Sequence, residues 1–201
     1  VPLAAALGYS HSNMLNIAIV IGSVRPVRKG ETVGKWVFDL ASKRADARYE
    51  LIDLREINLP FLDEPKSPAQ GDYVQEHTKA WSAKIAPFDA FVFVTPEYNH
   101  GVSPALKNAL DTLYKEWNNK AAGFVGYGNA GGARSVEHLR NVCAELQIAT
   151  VRTAVALMLA TDWENYEAFK PHPRHEKTLA ALLDQLNAWG GALQTLRSKT
   201  I

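Results

Sequence analysis

The segment Leu15–Ile21, LNIAIVI, constrains this chain more than any other. It is short, nearly all apolar, rich in β-branched side chains, and it stops at Gly22. Without polar alternation it does not read as a half-exposed antiparallel strand. It has the form of a strand covered on both faces, the position that strands take in a parallel sheet packed between helices. Segments 49–54, 90–95, 121–127 and 150–157 read as further strands, and helical patterns fill 32–44, 73–86, 104–114, 133–146 and 176–196. In the first of these, Val33, Trp36, Val37, Leu40 and Ala41 recur at near-helical spacing. The third opens with Pro104 at a first helical position behind Ser103 as N-cap.

Five strands alternating with five helices predict an α/β fold, one doubly wound five-stranded parallel sheet flanked by helices. No repeat, low-complexity tract or linker divides it. Residues 14–201 are read as that domain, and residues 1–13, ahead of Met14, as a disordered or added extension. Segment 55–72, with Pro60, Pro65, Pro68 and Gly71, is long for a loop, since loops beyond about 12–15 residues are usually functional or disordered. A surface excursion over the sheet edge is the plainer alternative.

In such a sheet, ligands bind at the carboxyl ends of the strands, where connections diverge to opposite faces. The segments after the first, third and fourth strands are therefore the candidate loops. The first, GSVRPVRKG (22–30), carries the Ser23 hydroxyl and three cations, Arg25, Arg28 and Lys29. Those charges are a local choice: Lys+Arg 22 against Asp+Glu 21 leaves a net charge of +1, so no global field recruits nucleic acid or an anionic membrane. A hydroxyl and cations before a helix N-terminus suit a phosphomonoester. The segment is neither G-x-G-x-x-G nor a P-loop: position 24 is Val, and Gly34-Lys35 is followed by Trp36.

The second loop, TPEYNHGVSP (95–104), offers Tyr98 as an apolar face and Asn99 as an edge hydrogen-bonder, which a planar heteroaromatic ligand requires. The third, GYGNAGGAR (126–134), has glycines that permit close backbone approach. Other constellations are weaker. Ser103 stands one residue short of G-x-S-x-G, and His172 and His175 lack a Cys or carboxylate set for a metal. Trp36, Trp81 and Trp189 follow helical patterns and read as core or interface. Cys143 reads as a small core residue. As the sole cysteine it excludes an internal disulfide and a CxxC pair, which fits a reducing, cytoplasmic compartment. No apolar run approaches the roughly 18 residues of a membrane span.

Taken together, GSVRPVRKG, PEYNHGVSPALKNALD and GYGNAGGARSVEHLR resemble the NADPH-dependent FMN reductase family of flavodoxin-like proteins, over about residues 15–155. The resemblance implies FMN as cofactor and NADPH or NADH as hydride donor. It implies that Ser23, Arg25 and Arg28 hold the FMN phosphate, with backbone involvement at Gly30. It also implies that Pro96, Glu97, Tyr98 and Asn99 line the isoalloxazine, bordered by Gly126, Tyr127 and Gly128. Glu97 has an alternative role as an intersubunit ion-pair partner. Two departures stand out: Gly30, where many relatives carry Asn, and His100-Gly101, where relatives often have an aromatic residue and Ser.

The implied activity is two-electron transfer from NAD(P)H through FMN to a small acceptor, with quinone ahead of azo compounds, chromate, ferric complexes and free flavin. Because the flavin carries the chemistry, no catalytic acid or base is nominated. The implied assembly is a homodimer or homotetramer. Two other readings are an FMN-binding electron carrier or redox-responsive regulator with little NAD(P)H turnover, and an FMN-free structural homologue. Small carriers of this fold are usually strongly acidic, and the near-neutral charge argues against that role.

Overall fold

The computed structural model describes residues 14–197. The expected extension at 1–13 lies outside the described residues. Five parallel strands, β1 (Leu15–Ile21), β2 (Ala47–Asp53), β3 (Ala90–Pro96), β4 (Lys120–Gly128) and β5 (Ile148–Met158), form one sheet in the order β2-β1-β3-β4-β5. Helix α1 (Gly30–Ala41) follows β1, and the short α2 (Leu54–Ile57) follows β2. Next come α3 (Glu76–Ile85), α4 (Pro104–Asp111) after β3, and α5 (Ala133–Glu145) after β4. Beyond β5 lie α6 (Leu159–Asp162), a small hairpin β6 (Trp163–Glu164) and β7 (Ala168–Phe169), and α7 (Arg174–Arg197).

Strand alternation sorts the core into two layers. Ile17, Ile19, Val92, Val94 and Val125 face α1 and α7, meeting Val33 and Val37 of one helix and Leu179, Leu182, Leu183 and Leu186 of the other. Ala18, Val20, Phe91, Phe93 and Phe124 face α3, α4 and α5. On that side Trp117 meets Phe91 edge-on with ring centroids 4.9 Å apart, and the Trp81 and Trp117 indole N–H groups donate to the Ala109 and Leu110 carbonyls. Burial with a satisfied N–H is what an indole needs to be a core residue. Trp81 thus matches its expected role and Trp36 packs on Phe169, whereas Trp189 is half exposed. Cys143 is fully buried, and burial pushes its thiol up to about 12.

Two local features differ from the expectations. The long 55–72 segment contains α2 and a 3₁₀ turn, Pro68–Gln70, so part of it is ordered helix. Ser103 does precede α4, but its hydroxyl makes no cap bond: it donates to the Gly22 carbonyl and ties the start of α4 to the end of β1. The sheet order leaves β1 and β3 adjacent, with their onward helices on opposite faces, so a crevice opens above their carboxyl ends.

Candidate functional site

Above β1, β3 and β4 lies a cavity of about 610 Å³, within the range usual for small-molecule and cofactor sites. The first loop, the Pro96–Tyr98 segment and the Tyr127–Gly128 segment enclose it on three sides. The fourth side is Leu159, Trp163 and Glu167, from the connection after β5.

Helix α1 starts at Gly30 without a side-chain cap, so its first-turn N–H groups remain available to an anion. Ser23 is buried just beneath, its hydroxyl 2.8 Å from the Tyr98 hydroxyl, which links the first loop to the second. The three cations have different fates. Lys29 donates to the Tyr166 carbonyl and lies 5.6 Å from the Trp163 ring centroid. Arg28 is almost sealed: its guanidinium grips Asp53 through both terminal nitrogens and donates to the Ser23 carbonyl at 2.6 Å. Burial works against that charge, but the Asp53 carboxylate, with Glu31 nearby, outweighs it and the Arg28 pKa is raised. Arg25 alone of the three is exposed at the rim and engaged in no ion pair among the described residues.

The PEYN segment turns sharply. Tyr98 and Gly101 exchange backbone hydrogen bonds at 3.1 and 2.9 Å, and Asn99 and His100 between them have φ of 50° and 66°. Two positive-φ central residues are the signature of a type I′ turn, for which Asn is well suited and His is not. The turn leaves Asn99 exposed and off the cavity wall. Glu97 lines the cavity and accepts from the Arg134 backbone N–H at 3.0 Å and from the Arg134 guanidinium. That bond clamps the second loop to the start of α5 within one chain. Burial acts to raise the Glu97 pKa, but Arg134 outweighs it and holds the carboxyl below its ordinary value.

Beside the clamp, Gly126 is buried under the Gly131 carbonyl, where a Cβ would come within 2.5 Å. Its role is to let the third loop fold back, and it does not line the cavity. Gly128 does, at φ 151°. Tyr127 is buried against Trp163, its hydroxyl pointing at Gly30, and burial raises its pKa. Gly30 is therefore packed under Tyr127 and not open to the cavity.

The structure thus gathers Ser23, Arg25, Arg28, Pro96, Glu97, Tyr98, Tyr127 and Gly128 on one cavity and leaves Gly30, Asn99 and Gly126 behind its walls or outside it. Sequence reasoning missed the wall after β5. Its signal was available: Trp163 follows the fifth strand at the same carboxyl end of the sheet. His172 and His175, set aside earlier, both serve Asp162 at the base of this wall. The His172 backbone N–H donates to the Asp162 carboxylate, and His175 Nε2 lies 3.0 Å from it.

A β2-β1-β3-β4-β5 sheet with a cavity over the β1/β3 crevice defines a flavodoxin-like α/β protein. Residues 15–162 match the family model for NADPH-dependent FMN reductase, and the chain belongs to that family. It is 44% identical over 148 residues to a Schizosaccharomyces pombe protein named NAD(P)H-dependent FMN reductase, covering 73% of this chain and 74% of that one. It is 32% identical over 141 residues to a 2-hydroxy-1,4-benzoquinone reductase of Burkholderia sp, covering 67% and 73%. Among solved structures, FerB, an NAD(P)H:(acceptor) oxidoreductase of Paracoccus denitrificans, superposes with a TM-score of 0.70 at 22% identity, over 89% of this chain and 98% of FerB. Membership makes it an oxidoreductase with NAD(P)H-dependent FMN reductase activity, whose cofactors are FMN and NAD(P)H. Among the described residues, no helix is long and apolar enough to cross a membrane.

Proposed function

We propose that the cavity over β1, β3 and β4 seats FMN, and that the acceptor of its electrons is a quinone. The observation that carries the seating is the contrast among the cations: Arg28 is held by Asp53 and Lys29 is turned to the Tyr166 carbonyl, whereas Arg25 is exposed at the rim beside Ser23 and the uncapped start of α1. Arg25, Ser23 and the first-turn N–H groups would hold the flavin phosphate there. Arg28 and the backbone at Gly30 support that end from behind. Pro96, Glu97, Tyr98, Tyr127 and Gly128 would hold the ring system, with Gly126 shaping the third loop and Asn99 in the turn outside the cavity.

FMN held there would supply the two-electron chemistry, linking hydride donation by NAD(P)H to reduction of the acceptor. The chain's residues would position the ring, and none is assigned as acid or base. An open cavity mouth suits a flat acceptor, and relatives named for quinone reduction support the choice. The exposed apolar side chains Val24 and Phe61, which line a second hollow of about 320 Å³, together with exposed Leu62, are a surface that a homodimer or homotetramer would cover. A lone, buried cysteine suits a cytoplasmic protein.

Arg25→Ala is the direct test. It should weaken FMN binding about 10- to 100-fold, as loss of a charge-assisted bond does, while riboflavin binding holds. Equal FMN affinity in the variant would take the phosphate away from this end of the cavity.

A further inference from the structure

Asp53 lies outside all three cavity loops, at the last position of β2, yet its carboxylate bonds to Arg28 of the first of them. The β1–β2 register sets it beside Ile21, the last residue of β1. From there its carboxylate holds both terminal nitrogens of Arg28, one at 2.8 Å. The same Arg28 Nη1 that meets Asp53 Oδ1 donates to the Ser23 carbonyl at 2.6 Å. Ser23 in turn shares a hydrogen bond with Tyr98. The chain Asp53–Arg28–Ser23–Tyr98 therefore runs from the sheet edge through the first loop to the second.

The pair is built to be rigid. The Arg28 and Asp53 side chains are only 4% and 13% exposed. A planar guanidinium meeting a carboxylate through two nitrogens fixes orientation as well as distance. Arg28 Nη2 also lies 3.6 Å from Glu31, and Nε is sealed in the interior without a partner. The charge of Arg28 is matched by Asp53 at contact distance, so little of it is left for an incoming anion.

We propose that Asp53 is a positioning residue for the flavin phosphate: it orients Arg28, which fixes the Ser23 carbonyl and with it the hydroxyl and amides that receive the phosphate. Arg28 acts as a strut and Arg25 supplies the charge. The inference rests on FMN occupying this cavity.

The test uses Asp53→Asn, Arg28→Met and the double variant, with FMN and riboflavin titrated separately by flavin fluorescence. Asn is chosen because Asp53 also caps α2 by accepting from the Arg55 N–H at 2.9 Å, and Asn caps equally well. Asp53→Asn should weaken FMN about tenfold and leave riboflavin unchanged, and the double variant should bind no worse than Arg28→Met. Arg28→Lys keeps the charge and loses the fork, and carries the same expectation if Asp53→Asn does not fold.

If Arg28 touches the phosphate itself, freeing it from Asp53 leaves FMN binding intact or tighter while Arg28→Met weakens it, which overturns the proposal. Equal losses for FMN and riboflavin also overturn it, since the pair would then only hold the sheet edge. Wild-type protein that binds riboflavin as tightly as FMN would instead sink the seating of the phosphate. Hydrogen exchange separates these failures without reference to flavin. Amides of residues 23–30 should exchange faster in Asp53→Asn, and unchanged exchange refutes the strut.

Discussion

Replacing Gly30 by Ala sets two effects of known size against each other. Ala is the better helix former, and removing a helical Gly gains about 0.5–1 kcal/mol, less at a first-turn position. Against this, the new methyl would sit 2.5 Å from the Tyr127 hydroxyl oxygen, 3.3 Å from its Cζ and 3.4 Å from Ser23 Cβ. Ordinary carbon–oxygen contacts begin near 3.3 Å, so the hydroxyl must retreat by about 0.8 Å. Tyr127 has little room to do so, being buried with its ring 6.4 Å from that of Trp163. Overpacking of this kind costs about 1–3 kcal/mol, so the net expectation is a loss of about 1–2 kcal/mol. The assay is urea unfolding of wild type, Gly30→Ala, Tyr127→Phe and the double variant. In the Tyr127→Phe background, Gly30→Ala should be nearly neutral, giving a coupling of about 1–2 kcal/mol. A Gly30→Ala protein as stable as wild type, or additive losses in the double variant, would refute the packing argument.

Three further expectations follow from the same structure. Lys120 is buried at the start of β4, where its ammonium donates to the Ile85 and Ala86 carbonyls, and burial pushes its pKa down to about 7. Unfolding between about pH 7 and 10.5 then takes up a proton, so stability should rise with pH in that window by at most about 1.4 kcal/mol per unit. Lys120→Met should lack the rise, and parallel pH profiles of the two proteins would show that the residue stays charged. His100→Gly should stabilise by about 0.5–1 kcal/mol in urea unfolding by relieving a positive φ, and a loss of stability would show that the side chain contributes more than the strain costs. Glu97→Gln should cost about 0.5–1.5 kcal/mol near neutral pH. Because the folded carboxyl is held below its ordinary value, that difference should vanish as acid protonates Glu97, and a difference independent of pH would mean that the charge plays no part.

The five strands and their order of appearance were legible because β1, β3 and β4 are short apolar runs buried on both faces, while the edge strands β2 and β5 are β-rich segments standing between turn residues. Their ends shift by only one or two residues, most at β2 and β5. Opposite β5, a register shift between Ala122 and Phe124 of β4 leaves β5 with extra residues, held by Gln185 through the Thr153 N–H and hydroxyl. The β6–β7 hairpin was illegible, since strands of two residues carry no period. The cavity loops could be named because helix termini and glycines mark them, but the work of each side chain could not. Arg28 and Asp53 are 25 positions apart and meet only through the β1–β2 register. Glu97 finds Arg134 only because β3 and β4 are neighbours. Such partners are set by tertiary placement, which linear spacing does not encode.

The central claim is that FMN seated over β1, β3 and β4 passes electrons from NAD(P)H to a quinone, and one spectroscopic titration tests it. Protein loaded with FMN is mixed with one equivalent of NADPH without oxygen, and a benzoquinone is added afterwards. The account predicts loss of the visible flavin absorbance by a two-electron step, then full return of the band on adding one equivalent of quinone. A bound flavin that NADPH and NADH both fail to bleach, or a bleached one that quinone does not reoxidise, would contradict it.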